Sequence, residues 1–498
     1  MEKIGPSKEQ IDSIVSILSI GKFQEALEET LTLSQEYPNE SLLLNLTGAC
    51  YQGLKQLETA VKYYEKAIVI NPNYYKAHYN LGGVLQEQGK LNASIESFQN
   101  SLSIKPDYAE AHNNVGNVFK EIGQFDNAIK SFKKAVEIKP NYVEAYYSLG
   151  IIFQDLNNLK AAISSFKKAL KFKPDFAQLH NNLGLIFQET GKKDSALKHF
   201  EDAVRIDPQL AESHNNLGNI LIELNQPDRA LDCYKKAVVV NPNLVEGYNN
   251  IARMFHTQKQ FNSAIENYEI ALSIDPNHAE SHQNLGNLLQ DLKQFDRAAE
   301  SYQESLKINQ NNAEVHTEVG ISLMYLGELD AAIKSFQKAL SINSNLDLAH
   351  NCLGLVLQKS GELDEALKSF NDALSINPKY AEVYFNIGNL MLDLNQIDMA
   401  ILNYEKAINL KPGINTNFGN LFDARMQICV WDDFSINIKK LRKKINQNEM
   451  VINPHALGGL IDDAKIQLKN SKIYAEERCP KNNVLPEIGI YPNHKKIR

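Results

Sequence analysis

The sequence has little of what membrane-spanning, exported or redox-active proteins need. Its 498 residues include one tryptophan and five cysteines, and no apolar run reaches the roughly 18 residues that a bilayer-spanning helix requires. The polar N-terminus lacks the basic and then apolar order of a secretory signal, which predicts a cytoplasmic protein. The cysteines are scattered without a C-x-x-C pair, so we expect reduced thiols and neither a zinc nor a redox centre.

Positive charge is also scarce over most of the chain. The sequence has 52 basic and 60 acidic residues, of which 13 basic and 6 acidic residues lie in residues 435–498. Residues 1–434 therefore carry 39 basic and 54 acidic residues, a net charge of −15. Because binding to a phosphate backbone needs clustered lysine and arginine, we expect neither nucleic acid nor a membrane as a partner. The basic run from Lys439 to Lys444 is predicted to be the solvated face of a helix.

A repeat of 34 residues dominates the rest of the sequence. A small residue recurs eleven times at that spacing, and further columns of small residues follow 12 and 19 positions later. Proline occupies a fourth column in nine of the eleven rows. Closely crossing helices need residues without bulk at their contact, and proline is best tolerated between helices, so each row is predicted to be a helical hairpin. The first column contains Gly48, Gly82, Gly116, Gly150, Gly184, Gly218, Ala252, Gly286, Gly320, Gly354 and Gly388.

The turn between the two helices of each row also has a signature. Glycine or asparagine is common at one shared position, as expected for a helix that ends in a left-handed residue. These residues are Gly89, Gly123, Asn157, Gly191, Asn225, Gly327, Gly361 and Asn395.

The period and the pattern of small, aromatic and proline positions resemble the tetratricopeptide repeat. The resemblance implies an all-α fold, an α-α superhelix of about 12 hairpins over residues 7–414. The first row, residues 7–40, is degenerate because Ile14 stands where glycine is expected. We expect an N-terminal tail in residues 1–6, a capping helix in residues 415–434 and a basic helical linker in residues 435–498.

Asparagine recurs on the first helices, which face inward in this repeat family, although it is a poor helix former. A carboxamide offers two donors and an acceptor, so a ladder of asparagines is able to bind the backbone of an extended peptide without reading its side chains. The alternative is that each asparagine bonds a neighbouring hairpin and stiffens the stack. The candidate site comprises Asn80, Asn114, Asn182, Asn216, Asn250, Asn284 and Asn386, two positions before the small residue, and Asn117, Asn219, Asn287 and Asn389, one position after it.

Histidine and glutamate form two more columns on the first helices. Successive rows lie about 10 Å apart, so histidines of different rows cannot converge on one ion, and we predict packing roles with no metal, cofactor or catalytic site. The glutamates either favour partners with basic segments or keep the surface hydrated. The histidines are His78, His112, His180, His214, His282, His316 and His350, and the glutamates are Glu110, Glu144, Glu212, Glu246, Glu280, Glu314 and Glu382.

After the repeats, the sequence resembles the junction in protein O-GlcNAc transferases, where a Cys-x-Trp-x-Asp-Tyr/Phe stretch follows the last repeat helix. The matching residues are Cys429, Trp431, Asp433 and Phe434. A basic helix (Ile438–Ile445), a turn from Asn453 to Leu460 and a helix at about 462–477 follow in the order of that family's linker. The linker leads, at a stretch similar to His494–Arg498, into the glycosyltransferase domain.

The resemblance implies that the repeats hold an extended protein segment while its serine or threonine reaches an active site elsewhere. A separate glycosyltransferase domain would then be a second partner, and no catalytic residue carries over to this chain. Ser148, Glu318 and Cys352 interrupt the asparagine ladder. Two alternatives stay open: a free-standing scaffold for the assembly of protein complexes, and the recognition arm of a related SPINDLY-type fucosyltransferase.

Overall fold

The structure, a computed structural model, describes residues 5–411, 415–429, 434–449, 451–452 and 454–478. Every regular element in these ranges is an α-helix, which confirms the predicted all-α fold. The chain divides into two compact units, residues 1–247 and residues 248–498. No helix in the described ranges has the length and apolar character that crossing a membrane requires.

The first unit consists of seven hairpins of consecutive helices. They are α1 (Lys8–Ser19) with α2 (Phe23–Glu36), α3 (Ser41–Gly53) with α4 (Leu57–Ile70), α5 (Tyr75–Glu87) with α6 (Leu91–Ile104), α7 (Ala109–Glu121) with α8 (Phe125–Ile138), α9 (Val143–Asp155) with α10 (Leu159–Phe172), α11 (Ala177–Glu189) with α12 (Lys193–Ile206), and α13 (Ala211–Glu223) with α14 (Pro227–Val240).

The second unit continues the same pattern, and the first of its helices begins just before the boundary at residue 247. Its hairpins are α15 (Val245–Thr257) with α16 (Phe261–Ile274), α17 (Ala279–Asp291) with α18 (Phe295–Ile308), α19 (Ala313–Leu326) with α20 (Leu329–Ile342), α21 (Asp347–Ser360) with α22 (Leu363–Ile376), and α23 (Ala381–Asp393) with α24 (Ile397–Leu410).

In ten of the eleven full rows the small residue is a glycine, and it packs against the aromatic residue 16 positions later. A Cβ atom added to Gly320 would lie 2.7 Å from the ring of Phe336, closer than carbon atoms pack. The first hairpin reverses this arrangement, because Ile14 fills the glycine position and the small Thr30 the ring position, and both are fully buried. The degenerate row therefore keeps the volume of the pair, which explains why it still forms a hairpin.

The residue that ends each first helix adopts a left-handed backbone conformation, as the glycine and asparagine column predicts. Its amide donates back to the helix, for example from Gly89 to the Gln86 carbonyl at 2.9 Å. Lysine holds the same conformation at Lys55, Lys259 and Lys293, with φ values of 62°, 59° and 58°. Sequence alone did not reveal these three turns because lysine carries no preference for positive φ.

In the described ranges, four helices follow the twelfth hairpin. They are α25 (Asn415–Gln427), α26 (Phe434–Asn446), α27 (Pro454–Leu460) and α28 (Ala464–Arg478). Helix α25 lies 34 residues after α23, and Cys429 behind it has a positive φ of 58°, so α25 keeps the register of a first helix. The expected division into tail, repeats, capping helix and basic linker stays a prediction.

The basic linker contributes most of a small apolar core that also includes Phe422 of α25. Leu441 and Ile445 of α26 and Leu457 of α27 are fully buried and pack in one cluster. The sequence predicted a turn in Pro454–Leu460, and this was wrong. Proline is tolerated at the start of a helix, and burial of Leu457 outweighs the weak helix propensity of the glycines. Trp431, Asp433 and residues 479–498 lie outside the described residues.

Candidate peptide-binding surface

The asparagines of the first column reach back to the preceding hairpin in both units. In the first unit, Nδ2 of Asn80 donates to Oδ1 of Asn45 at 3.0 Å, and Nδ2 of Asn216 donates to Oδ1 of Asn181 at 3.1 Å. Tyrosine hydroxyls take the acceptor's place elsewhere in this unit, for Asn114 with Tyr79 at 2.8 Å and for Asn182 with Tyr147 at 3.5 Å. In the second unit, Asn284 donates to Asn249 at 3.1 Å and Asn386 to Asn351 at 2.8 Å.

These bonds are the ones expected if the asparagines join neighbouring hairpins and stiffen the stack. They nevertheless use only part of the hydrogen-bonding capacity of each carboxamide. An asparagine side chain has two N–H donors and an acceptor oxygen. Within the described residues, Asn80, Asn216, Asn284 and Asn386 make no further side-chain hydrogen bond, and all four are half-buried. Each therefore keeps one donor and its oxygen for a ligand.

Two members of the column are less available. Asn182 is 6% exposed and Asn250 is 7% exposed. The oxygen of Asn182 lies 3.5 Å from Nε2 of Gln178, and the oxygen of Asn250 accepts from Arg253 at 3.2 Å. These two asparagines contribute more to packing than to an open surface.

The second asparagine column is tied to tyrosines within the same hairpin. Tyrosine hydroxyls donate to Oδ1 of Asn219 at 2.8 Å, of Asn287 at 2.7 Å and of Asn389 at 2.7 Å. The donors are Tyr234, Tyr302 and Tyr404. Burial raises the pKa of Tyr404 and keeps its hydroxyl protonated.

Asn117 differs from the other members of this column. Its hairpin carries Phe132 at the ring position, so no hydroxyl is available there, and Asn117 makes no side-chain hydrogen bond to the described residues. The sequence signal was a tyrosine 15 residues after the asparagine. It is present for Asn219, Asn287 and Asn389, which accept a hydrogen bond from it, and absent for Asn117.

A pocket of about 550 Å³ lies on the first unit where the ladder begins. Helices α3, α5 and α7 supply its walls, and Gly83 leaves open space where a side chain would point. Lys55 pairs with Glu87 at 3.3 Å, whereas Glu121 has no lysine or arginine partner among the described residues. The pocket is lined by Gln52, Tyr79, Asn80, Gly83, Gln86, Glu87, Asn114 and Glu121.

Each residue of the histidine column makes a polar contact with the loop before its helix. One ring nitrogen of each histidine lies 2.9–3.1 Å from the carbonyl oxygen six residues earlier, in the loop that joins two hairpins. Part of the glutamate column is paired as well, because Lys411 lies 2.7 Å from Glu382 and holds the pKa of that carboxyl below its ordinary value.

Comparison with protein families identifies the repeat. Family models described as "TPR repeat" match residues 51–89, 82–123, 116–157, 152–191 and 320–361. Models described as "Tetratricopeptide repeat" match residues 177–210, 211–244, 243–311 and 345–412. The chain belongs to the tetratricopeptide repeat family.

Solved structures include chains that are similar to parts of this one. The APC/C hetero-tetramer Cut9-Hcn1 is 16% identical, with 82% of this chain and 95% of that chain covered and a TM-score of 0.44. MamA is 28% identical over 32% of this chain and 95% of that chain, with a TM-score of 0.31. YrrB, titled a TPR protein with an unusual peptide-binding site, is 24% identical over 37% and 95%, with a TM-score of 0.33. The curated protein sequences contain no match.

The partners of the ladder were missed in the sequence of this tetratricopeptide-repeat protein. They lie 35 residues before the ladder asparagines, three positions before the small residue of the previous row. Their recurrence as asparagine or tyrosine was a usable signal, because both side chains accept a hydrogen bond. The acceptors are Asn45, Tyr79, Tyr147, Asn181, Asn249 and Asn351.

Proposed function

We propose that the ladder surface of the first unit binds extended polypeptide segments through their backbone amides. The observation that carries this proposal is the half-used carboxamide, since Asn80 and Asn216 each spend one N–H on the preceding hairpin and keep one donor and one acceptor. Successive hairpins lie about 10 Å apart, and an extended chain rises about 3.3 Å per residue. Asparagines of neighbouring hairpins would therefore meet every third peptide residue.

The pocket at the start of the ladder favours a segment with a basic side chain. Asn80 and Asn114 supply the amide groups, and the carboxylate of Glu121, which has no basic partner among the described residues, supplies negative charge at its edge. The net charge of −15 on residues 1–434 attracts the same class of ligand over a longer range. A serine- or threonine-bearing peptide with one or two lysines is the best probe.

The binding proposal is tested by fluorescence anisotropy with such a peptide, labelled at one end. We expect Gly83→Leu to fill the pocket and weaken binding at least about tenfold, a loss near 1.4 kcal/mol. The added Cβ meets no atom within 4 Å, so the fold is retained. Gly458→Leu is the matched control, because Gly458 also lies in open space but on α27. Equal affinities for both variants and the wild type would refute the proposal.

The charge preference has its own test. Glu121→Gln should weaken the lysine-bearing peptide and leave a neutral peptide of equal length unchanged. Glu137→Gln, which removes an exposed carboxylate of α8 that is outside the pocket lining, serves as the control. A uniform effect of Glu121→Gln on both peptides would remove the basic-segment preference while leaving backbone binding in place.

The segments so held are, in our proposal, substrates of a protein O-GlcNAc transferase-like glycosyltransferase. Support comes from the sequence after the repeats, where Cys429, Trp431, Asp433 and Phe434 resemble the junction of that family. Polypeptides that co-purify with the wild type, but not with Gly83→Leu, should carry N-acetylhexosamine on serine or threonine by mass spectrometry. Deoxyhexose instead would favour the fucosyltransferase alternative, and unmodified polypeptides would favour the free-standing scaffold.

A further inference from the structure

The sixth hairpin departs from the repeat at two positions of its second helix, α12. His199 stands in a column that otherwise often holds serine, and Asp202 stands in a column that often holds lysine. In the serine rows, the hydroxyl bonds a carbonyl of its own helix, as Ser131 does with Asn127 at 2.9 Å. The serines are Ser97, Ser131, Ser165, Ser301, Ser335 and Ser369, and the lysines are Lys66, Lys134, Lys168, Lys236, Lys338 and Lys406.

His199 and Asp202 both lie close to His180 of α11, which belongs to the histidine column. Nδ1 of His180 lies 3.0 Å from Nδ1 of His199 and 3.8 Å from Oδ2 of Asp202. One ligand atom from each of the three side chains lies within 4.8 Å of the others, and all three residues are half-buried. Among the described residues, this is the one cluster of three or more histidine, cysteine or acidic side chains with such spacing.

Neighbouring groups hold the two imidazole rings in orientations that suit cation binding. Nε2 of His180 lies 3.1 Å from the carbonyl oxygen of Pro174, which fixes the proton on Nε2 and leaves Nδ1 as a lone-pair donor. A histidine that ligates a metal almost always donates its other N–H in this way. The ring of His199 stacks on Phe187 with centroids 5.3 Å apart, which holds its orientation.

We propose that His180, His199 and Asp202 bind a divalent transition-metal ion such as Zn²⁺. Two imidazoles and a carboxylate are ligands that zinc prefers, and bonds of about 2.0–2.1 Å in a tetrahedral site place neighbouring ligand atoms about 3.3 Å apart. The two nitrogens need to separate by a few tenths of an ångström, and Oδ2 of Asp202 needs to move closer to Nδ1 of His180 by about 0.5 Å. Three protein ligands leave a fourth position for water or for a side chain of a bound partner.

Charged groups around the cluster both favour and oppose the binding of a cation. Arg205 holds Oδ1 of Asp202 at 2.6 Å, which leaves Oδ2 to face the histidines. Lys167 and Lys198 act on His199 with positive charge and oppose a cation, whereas Asp202 favours one.

The experiment is a titration of the full chain with Co²⁺, followed by its visible d–d absorption and by displacement with Zn²⁺. We expect one equivalent to bind in the wild type and none to bind in His199→Ser or Asp202→Lys. Both variants restore residues common in other rows, and circular dichroism checks that they stay folded. Ser335→His, in the row of His316 and without the aspartate, is the control that should add no site.

A transplant completes the test. Ser131→His with Lys134→Asp rebuilds the two departures beside His112, and it should add a second Co²⁺ equivalent. The proposal is overturned if the wild type binds no Co²⁺, or if His199→Ser binds as tightly as the wild type. Either result would mean that the imidazoles of His180 and His199 form an N–H···N hydrogen bond and no metal site.

Discussion

Nδ2 of Asn216 lies 3.1 Å from Oδ1 of Asn181, and this bond joins α13 to α11, the first helix of the hairpin before it. Oδ1 of Asn181 also accepts from the hydroxyl of Ser213 at 3.0 Å. The ladder is thus built from pairs of columns, in which an acceptor on one hairpin receives a donor from the next.

The two ends of this bond should differ in their effect on stability. Asn216→Ala removes one donor while Asn181 keeps Ser213, so we expect a loss of about 1 kcal/mol. Asn181→Ala leaves two donors without their acceptor at a site that is 2% exposed, and we expect a loss of about 2–3 kcal/mol. Urea denaturation measures both values, and an equal loss for the two variants would contradict the shared-acceptor geometry.

The interruption of the ladder at Ser148 leaves an acceptor unused. Oδ1 of Asn113 is buried and has no hydrogen-bond partner among the described residues. An asparagine at position 148 would carry its donor to Asn113, as Asn216 does to Asn181, so Ser148→Asn should raise stability by about 1 kcal/mol. Ser148→Asp has the same size without an N–H donor and should lower stability. Similar unfolding midpoints for the two variants would contradict this assignment.

Glu318, which also interrupts the ladder, should give a pH-dependent effect. Burial raises the pKa of its carboxyl above the ordinary value of 4.5, although a hydrogen bond from Gln290 opposes the shift. The unfolded chain therefore loses this proton more readily than the folded chain, which costs stability at neutral pH. Glu318→Gln should raise the urea midpoint at pH 7, and this gain should shrink as the pH falls from the raised pKa of the folded state toward 4.5 and be absent below 4.5.

Glu314→Gln is the matched control for that experiment, since Glu314 is exposed on the same helix. It should change the midpoint little at either pH. A gain from Glu318→Gln that persists in acid would show that lost packing space, rather than charge, is the cause.

The contact between Gly320 and Phe336 predicts a context-dependent cost. Gly320→Ala forces the ring to move, because the new Cβ would lie 2.7 Å from it, and we expect a loss of about 1–3 kcal/mol. The same change in a Phe336→Leu background should cost less. Gly83→Ala is the control, since its Cβ meets nothing within 4 Å and alanine favours the helix by about 0.5–1 kcal/mol. Equal losses at Gly320 and Gly83 would contradict the ring contact.

The candidate site could be predicted only in part. The sequence showed which residues recur on the first helices, because a period of 34 returns each residue to the same face of its hairpin. It did not reveal that Asn80 bonds Asn45. Peptide binding and bonding to a neighbouring hairpin predict the same asparagine column, and only the position of the neighbouring side chains separates them. The recurring columns also did not predict the proposed metal site, because His199 and Asp202 are exceptions to the residues that recur at their positions.

The sequence by itself determined the all-α hairpins, their spacing and the turns that contain glycine or asparagine, because the packing of a small residue against an aromatic ring, as in Gly320 and Phe336, recurs in each row. Only the tertiary structure decided which polar groups remain open, since the side chains of Asn182 and Asn250 are buried and those of Asn80 and Asn216 are not. The physical reason is that burial and hydrogen-bond pairing depend on the neighbouring hairpin, whose side chains differ from row to row while the backbone pattern stays the same.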